Sequence, residues 1–471
     1  MLSFRTPFAL IAGASLLGGC NLAPSYHRPA LAVPANLPQA EPSGAQADMQ
    51  NSIPDIPWQT FFTDARLRLV IAQGLSNNRD LRIAAANVLQ ARATYRVQRS
   101  DLLPTVTASG DATVERTAVD ATLPGANRDT ESYSANIGLS SFELDLFGRL
   151  RNLSEAALQQ YFATEEAQRS TRISLIAEIA SAWLTLASDQ DQLTLSSQTL
   201  DAYRQTLDLT KARFSQGIGS ELEVRQAQTN YDQARYDIAV ATTQIAKDKN
   251  ALNLLVGATV TADHLPKELG TGIFTISNLP AGLASEVLLH RPDVRQAERQ
   301  LIAQNANIGA ARAAFFPTIS LTASAGALSS GLSSLFGNGS GTWSFAPQVS
   351  VPIFNFGRNR ANLRYAEAGR DAAIATYEKA VQTAFREVAD ALAQRGTIDE
   401  QLGALASRAD AAAIAARLSE ARYRAGVDGF LTTLDAERTL YAARQALVTA
   451  KLDRSSNLIE LYRAFGGGIA G

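Results

Sequence analysis

Phe142-Glu143-Leu144-Asp145-Leu146-Phe147-Gly148-Arg149 is the stretch from which the fold can be read, because its last three residues return. Phe147-Gly148-Arg149 recurs as Phe356-Gly357-Arg358, 209 residues later. The same interval of 209 separates Ala212-Arg213-Phe214 from Ala421-Arg422-Tyr423, Gly217 from Gly426, and Val256-Gly257 from Phe465-Gly466. Ahead of the Phe-Gly-Arg joint the interval is 213. Asp80-Leu81-Arg82 answers Asp293-Val294-Arg295, and Leu103-Pro104-Thr105-Val106 answers Phe316-Pro317-Thr318-Ile319. A match this long is two copies of one structural unit, not a short-period solenoid, so any function of the chain must use both.

Working outward from the joint, the residues before it alternate. Val106, Ala108, Gly110, Ala112 and Val114 interleave with polar neighbours, as do Tyr133, Ala135, Ile137 and Leu139. The phase then slips by one, and Phe142, Leu144 and Leu146 alternate with Glu143 and Asp145. The second copy repeats the pattern with Ile319, Leu321, Ala323 and Ala325, then Trp343, Phe345, Val349, Val351 and Ile353. A period of two over these lengths predicts four strands, apolar on one face, in two hairpins at 104–146 and 317–356. Half-buried soluble strands look like this, and so do strands of a membrane barrel, which need ~9–11 residues each.

After the joint the pattern is helical. Gly148 to Phe214 and Gly357 to Arg424 are free of proline and predict helices of about 100 Å at 1.5 Å per residue. Each ends at glycines suited to a left-handed cap: Gly217 and Gly219 before Ser220, and Gly426 and Gly429 flanking Asp428. Ser220-Glu221-Leu222-Glu223 reads as a capping box, opening a returning helix that runs to Val256; its counterpart runs from Gly429 to Phe465. Opening helices from Asp80 and Asp293 stop ahead of Pro104 and Pro317. An opening helix of about 36 Å and a returning helix of about 55 Å together match the long helix. Stacked end to end, the two short helices would run beside it. Four strands from one chain leave open edges, which lipid does not tolerate. Three chains, at four strands each, would close a twelve-stranded barrel on a twelve-column helical tube.

The near-neutral charge of −2 excludes a basic nucleic-acid footprint. Arg5 and the short apolar run Phe8 to Leu17 form a signal peptide over 1–19, too short to span a bilayer. It ends in Leu17-Gly18-Gly19-Cys20, and Cys20 is the chain's 1 cysteine, so neither an internal disulfide nor a cysteine zinc site is possible. The ending resembles the bacterial lipobox, which implies that Cys20 is lipidated; Asn21 behind it favours the outer membrane. Residues 20–57 are rich in proline and read as an extended strap. The two repeats then occupy 58–266 and 267–471.

Taken together, Cys20-Asn21, Pro24-Ser25-Tyr26 and Arg28-Pro29, Trp58 with Phe61-Phe62-Thr63-Asp64, Asn78-Arg79-Asp80-Leu81-Arg82, the Phe142–Arg149 stretch, His290-Arg291-Pro292-Asp293-Val294, and Ala421–Val427 with Phe430–Arg438 resemble the trimeric outer-membrane efflux proteins of the TolC/OprM type, in their lipoprotein branch. The resemblance covers essentially the whole chain. It implies a mainly α fold with a membrane β-barrel, built from two tandem repeats per chain, and a homotrimer anchored in the outer membrane of a Gram-negative bacterium. It also implies a duct reaching through the periplasm to an adaptor of the membrane fusion class and an inner-membrane pump, of resistance-nodulation-division type by preference. No cofactor is expected beyond the covalent lipid, and no enzyme activity. The turns holding Gly217, Gly219, Ser220, Gly426, Asp428 and Gly429 become the adaptor-docking tips.

Three residues near the second tip stand out. Asp435 has uncharged Gln226 as its counterpart, Arg438 has Thr229, and Leu431 has Leu222, so the copies diverge in charge at this level. Asp435 and Arg438 read either as a solvated pair three residues apart on one helix or, by the resemblance, as a periplasmic gate with Leu431. Glu143 and Asp145 could pass for a catalytic pair, but their alternation with apolar residues reads as polar positions facing a lumen. His27, His264 and His290 lie at proline-rich or turn-like sites without metal-ligand spacing. An adhesin or coiled-coil stalk anchored at the surface is the alternative from another class, and a general porin is a third; the paired amphipathic hairpins count against the first, the long helices against the second.

Overall fold

The computed structural model describes residues 21–38, 56–118, 121, 127–270, 272–275 and 284–467. The signal peptide, Cys20 and part of the strap lie outside those residues. The first half contains helices α1 (Trp58–Phe61), α2 (Ala65–Asn77) and α3 (Arg79–Ser100), strands β1 (Val106–Arg116) and β2 (Asp129–Leu144), and helices α4 (Arg149–Ser215) and α5 (Glu221–Val256). The second half repeats the series from α3 onward: α6 (Pro292–Ala313), β3 (Thr318–Ser329), β4 (Gly341–Ser350), α7 (Arg358–Arg424) and α8 (Phe430–Ala464). Both long helices, α4 and α7, have 67 residues. The opening helices end a few residues before Pro104 and Pro317, closing through short turns such as Leu103 N–H to the Ser100 carbonyl. Helices α1 and α2 were not anticipated; Asp64 caps α2 by accepting from the N–H groups of Arg66 and Leu67.

The compact units do not follow the halves. One gathers 1–29, 87–165 and 296–377; the other gathers 30–86, 166–295 and 378–471. Each therefore takes segments from both copies. The first unit holds an antiparallel sheet in the order β1-β2-β3-β4. The expected phase slip is a bulge: the β2–β3 register shifts between Leu139 and Phe142, and Ser141 turns to φ 52° to absorb the extra residue. Gly138 and Gly326 permit the close approach of these central strands, since a Cβ on Gly326 would lie 2.2 Å from the Ala135 carbonyl oxygen. Strands β1 and β4 form the two edges and are exposed along their whole length. Residues 21–29 of the strap lie against α6 in the same unit. Asn305 Nδ2 donates to the Pro24 carbonyl (2.6 Å), and Tyr26 Oη and Arg28 Nε donate to Glu298 Oε1 (3.0 and 2.7 Å). Gly309 leaves room for it: a Cβ there would lie 2.8 Å from Ala23 Cα.

At the joint between β2 and α4, Gly148 adopts φ 77° and lets the strand turn into the helix. Glu143 receives both Nε and Nη2 of Arg149 (2.8 and 2.6 Å), and Asp145 accepts from the backbone and side chain of Arg151 (2.8 and 3.3 Å). These two carboxylates tie the hairpin to the long helix, a role that strand alternation did not reveal.

The second unit is helical, around an aromatic cluster in which Phe61 stacks on Tyr462 at 4.2 Å between centroids. Trp183 Nε1 donates to the backbone carbonyl of His264 (3.1 Å). The short helices do meet end to end. Asn78 caps the start of α3 through Oδ1, which accepts from Leu81 N–H (2.9 Å), while its Nδ2 donates to the Leu255 carbonyl at the end of α5 (2.8 Å). Gly257 at φ 72° closes α5 there, and a Cβ on it would fall 2.6 Å from the Asn77 carbonyl oxygen. Arg291, 213 residues after Asn78, serves the second copy. Its Nη1 donates to the Ala464 carbonyl at the end of α8 (2.5 Å), and Asp293 and Glu387 hold its Nη2, each at 2.8 Å. Among the described residues no helix is long and apolar enough to cross a membrane.

Arg291 is buried, so Arg291→Met would strand the Glu387 carboxylate and the Ala464 carbonyl together. The expected loss is about 3–5 kcal/mol. It should be read as a lowered midpoint in thermal unfolding of the detergent-solubilised protein; a loss below about 1 kcal/mol would mean that the junction is held by packing alone.

Candidate functional site

The two glycine turns are built alike because the same backbone hydrogen bonds close both long helices. At the end of α4, Ile218 N–H reaches the Arg213 carbonyl (3.0 Å) and Gly217 N–H the Phe214 carbonyl (3.0 Å). At the end of α7, Val427 N–H reaches Arg422 (2.9 Å) and Gly426 N–H reaches Tyr423 (3.0 Å). Each pair is a Schellman closure, and both Gly217 and Gly426 sit at φ 74° as it requires. The next helices start differently. Ser220 and Glu223 form the capping box on α5, whereas Gly429 precedes α8 without a side-chain cap. Asp428 instead receives Arg422, with Nε 2.5 Å from Oδ2. The first turn has Gly219 at that position and no acid, and its Arg213 lies over the Tyr423 ring of the second copy, 4.9 Å from the centroid.

Behind the turns the copies pack through one apolar cluster, Leu207, Ala227, Tyr423, Phe430 and Leu434. Tyr423 and Phe430 are 5.4 Å apart between ring centroids. Polar contacts continue along α8. Arg438 Nε donates to Asn230 Oδ1 on α5 (2.9 Å), and Tyr441 Oη donates to Asp237 Oδ2 (2.9 Å). Within the chain Arg438 is thus directed to Asn230 rather than to Asp435. Asp435 is exposed, as is Leu431 with 66% of its surface accessible. Leu431, Asp435 and Arg438 share the first three turns of α8, with Leu431 and Asp435 exposed within this chain.

Glu437 was not anticipated. It follows Asp435 by two residues, about 200° around the helix, and so points inward where Asp435 points out. Thr206 Oγ1 donates to its Oε1 (2.8 Å), while Oε2 is buried with no partner among the described residues. Burial raises its carboxyl from 4.5 to about 7, the Thr206 hydrogen bond opposing and the nearby Glu420 adding to the rise. Local pattern could have placed Glu437 on the inner face, but not Thr206 opposite it. Cys20 lies outside the described residues; the side chain of the following Asn21 accepts from Asn152 Nδ2 (3.0 Å), at the start of α4.

With this geometry in place, the similarity to known proteins is informative. The sequence pattern described as outer membrane efflux protein matches residues 70–258 and 283–467, and the chain belongs to that family. The solvent efflux pump outer membrane protein SrpC of Pseudomonas putida is 47% identical over 462 residues, covering 98% of this chain and 97% of SrpC. Outer membrane protein OprJ of Pseudomonas aeruginosa is 41% identical, covering 97% and 94%. Among solved structures, the open state of the MtrE outer membrane channel of Neisseria gonorrhoeae superposes with a TM-score of 0.86 at 38% identity, covering 96% of this chain and 99% of that one.

The Glu437 geometry fixes the sign of a pH effect. A carboxyl whose folded value is raised binds its proton more tightly in the folded state, so the packing it joins gains stability as pH falls from about 7 towards 4.5 and is flat below. Glu437→Gln keeps the Thr206 contact and removes the titration. The difference in melting temperature between about pH 5 and about pH 8 should shrink in the variant; an unchanged difference would assign the titration to another group.

Proposed function

We propose that three copies of this chain form the outer-membrane exit duct of a tripartite efflux system. The observation that carries the reading is the sheet with two bare edges, β1 and β4, whose strands pass into 67-residue helices through glycine joints. Edges of this kind need partners in lipid, and pairing β4 of one copy with β1 of the next closes a barrel of three sheets. Helix α3 has no buried residue within the chain, and Ile83, Leu89 and Val97 are exposed on it, which supports a neighbouring copy as its cover. Family membership supports the same assembly. The two repeats would then give the tube a near-sixfold arrangement.

In this reading Cys20 carries a covalent lipid that anchors the protein at the periplasmic face of the outer membrane, and the strap runs from it along α6. The turns at Gly217, Gly219 and Ser220 and at Gly426, Asp428 and Gly429 dock on a periplasmic adaptor, which joins the duct to an inner-membrane pump of the resistance-nodulation-division type. Cargo would be small molecules selected by the pump; the name of SrpC supports organic solvents among them. Leu431, Asp435 and Arg438 form the gate. Threefold symmetry would gather three exposed Asp435 carboxylates, which repel unless cations or arginines from neighbouring copies intervene. Exposed ion pairs contribute about 0–1 kcal/mol each, so a ring of them biases the tip without locking it, leaving the adaptor able to open it.

Three measurements test this. Native mass spectrometry in detergent should give three chains, and a stable monomer would remove the duct. Intact mass of the mature protein should show an acylated residue 20, a modification lost in Cys20→Ser; an unmodified wild-type cysteine overturns the anchor. In planar bilayers, Asp435→Ala with Arg438→Ala should raise single-channel conductance severalfold, whereas equal conductance would place the constriction elsewhere.

A further inference from the structure

The two Phe-Gly-Arg joints part company in charge. In the first, Glu143 and Asp145 meet Arg149 and Arg151 at 2.6 and 3.3 Å. In the second, the residues 209 further on are Pro352 and Phe354, yet Arg358 and Arg360 are retained, and Arg364 follows one turn later. The acid at Asp101, close enough to Arg149 to act on it electrostatically, likewise becomes Ala314 in the second copy. All three second-copy arginines are exposed, and among the described residues none forms an ion pair. Beside them stand Ile353, Phe354 and Phe356, 95%, 76% and 91% exposed, with the two rings 4.5 Å apart. A cleft of about 300 Å³ lies between the two joints, lined by Thr318, Ser350, Pro352 and Arg358 on the side of the second and by Glu143, Asp145 and Arg149 on the side of the first.

We propose that this second joint is a binding site for the phosphate of an anionic glycerophospholipid. The inference rests on the reading that the sheet crosses the outer membrane, which puts the end of β4 at the headgroup level of the periplasmic leaflet. Guanidinium forks suit phosphate oxygens, and exposed arginines beside aromatic and aliphatic side chains are the composition of a membrane interface. Arg358 and Arg360 donate to the phosphate, and Ile353, Phe354 and Phe356 lie against the glycerol and upper acyl chains. A free phosphate would engage the arginines and leave the apolar residues in water, so the lipid is the occupant that uses both. Arg149 reaches the same cleft from the first joint but is neutralised there by Glu143, so the charge offered to a ligand comes from Arg358 and Arg360, and the assembled protein should bind one lipid of this kind per chain.

The test uses the full-length protein as purified in detergent, titrated with phosphatidylglycerol and followed by native mass spectrometry. Arg358→Gln with Arg360→Gln should weaken phosphatidylglycerol binding at least tenfold, and Arg358→Lys with Arg360→Lys less than that. A diacylglycerol with the same chains should bind the wild type poorly, and millimolar inorganic phosphate should not displace the phospholipid. Equal affinity in the glutamine variant overturns the proposal. Displacement by inorganic phosphate would make it a free-anion site and overturn the lipid. If instead the glutamine variant separates into single chains and Asp101→Asn does the same, the arginines hold a carboxylate of a second copy and the proposal fails. Insertion of the wild type into liposomes is scored separately: failure there defeats the membrane reading itself, whatever the lipid titration gives.

Discussion

Backbone groups that lose water must find partners, and this constraint shapes the chain at both scales. A helix ends with several carbonyls unpaired, and a strand at the edge of a sheet presents a full row of unpaired groups. The long helices close through Schellman bonds at Gly217 and Gly426. The short helices pass the problem to one side chain at each junction. Asn78 serves the start of α3 and the end of α5 at once, and Arg291 reaches the end of α8 from the same repeat position. The chemistry differs because the neighbourhoods differ: the amide is self-sufficient, whereas the guanidinium needs Asp293 and Glu387 to be buried at all. The edges of the sheet, β1 and β4, find no such answer among the described residues.

The copies are alike in backbone and unlike in charge, and the differences fall where a symmetric duct would need direction. At the turns, Arg422 is paired to Asp428, while Arg213 lies on the ring of Tyr423. Along α8, Arg438 is engaged by Asn230, and Glu437 is sunk against Thr206. The second copy is thereby bound to the first on one side, while its Leu431 and Asp435 stay exposed within the chain. At the strand-to-helix joints, the first copy pairs Arg149 and Arg151 with its own carboxylates, whereas Arg358 and Arg360 of the second form no ion pair among the described residues.

Much of the fold was legible because its determinants are local. The period-two runs became strands, the shift at Ser140–Phe142 became a bulge, and Ser220 with Glu223 formed the capping box the spacing implied. Gly217 and Gly426 lie at positive φ, as the glycine turns had suggested, and Gly257 and Gly466, matched in the repeat, do so too. The family resemblance rested on motifs along the whole chain, and the matched segments 70–258 and 283–467 agree with it.

What the sequence by itself determined is therefore the repeated elements from α3 onward, their duplication and the family. Each depends on residues within a turn or two of one another or on long stretches compared in register. Only the tertiary structure decided which side chains meet across the two copies. It showed Glu143 and Asp145 to be anchors for Arg149 and Arg151, drew compact units from both halves, made Asn78 and Arg291 equivalent, and buried Glu437 beside Thr206. Those contacts join residues up to 231 positions apart. Helical and strand periodicity names the face a residue occupies and carries no information about what stands opposite, so the partner, and with it the charge state, is set only when the chain has folded.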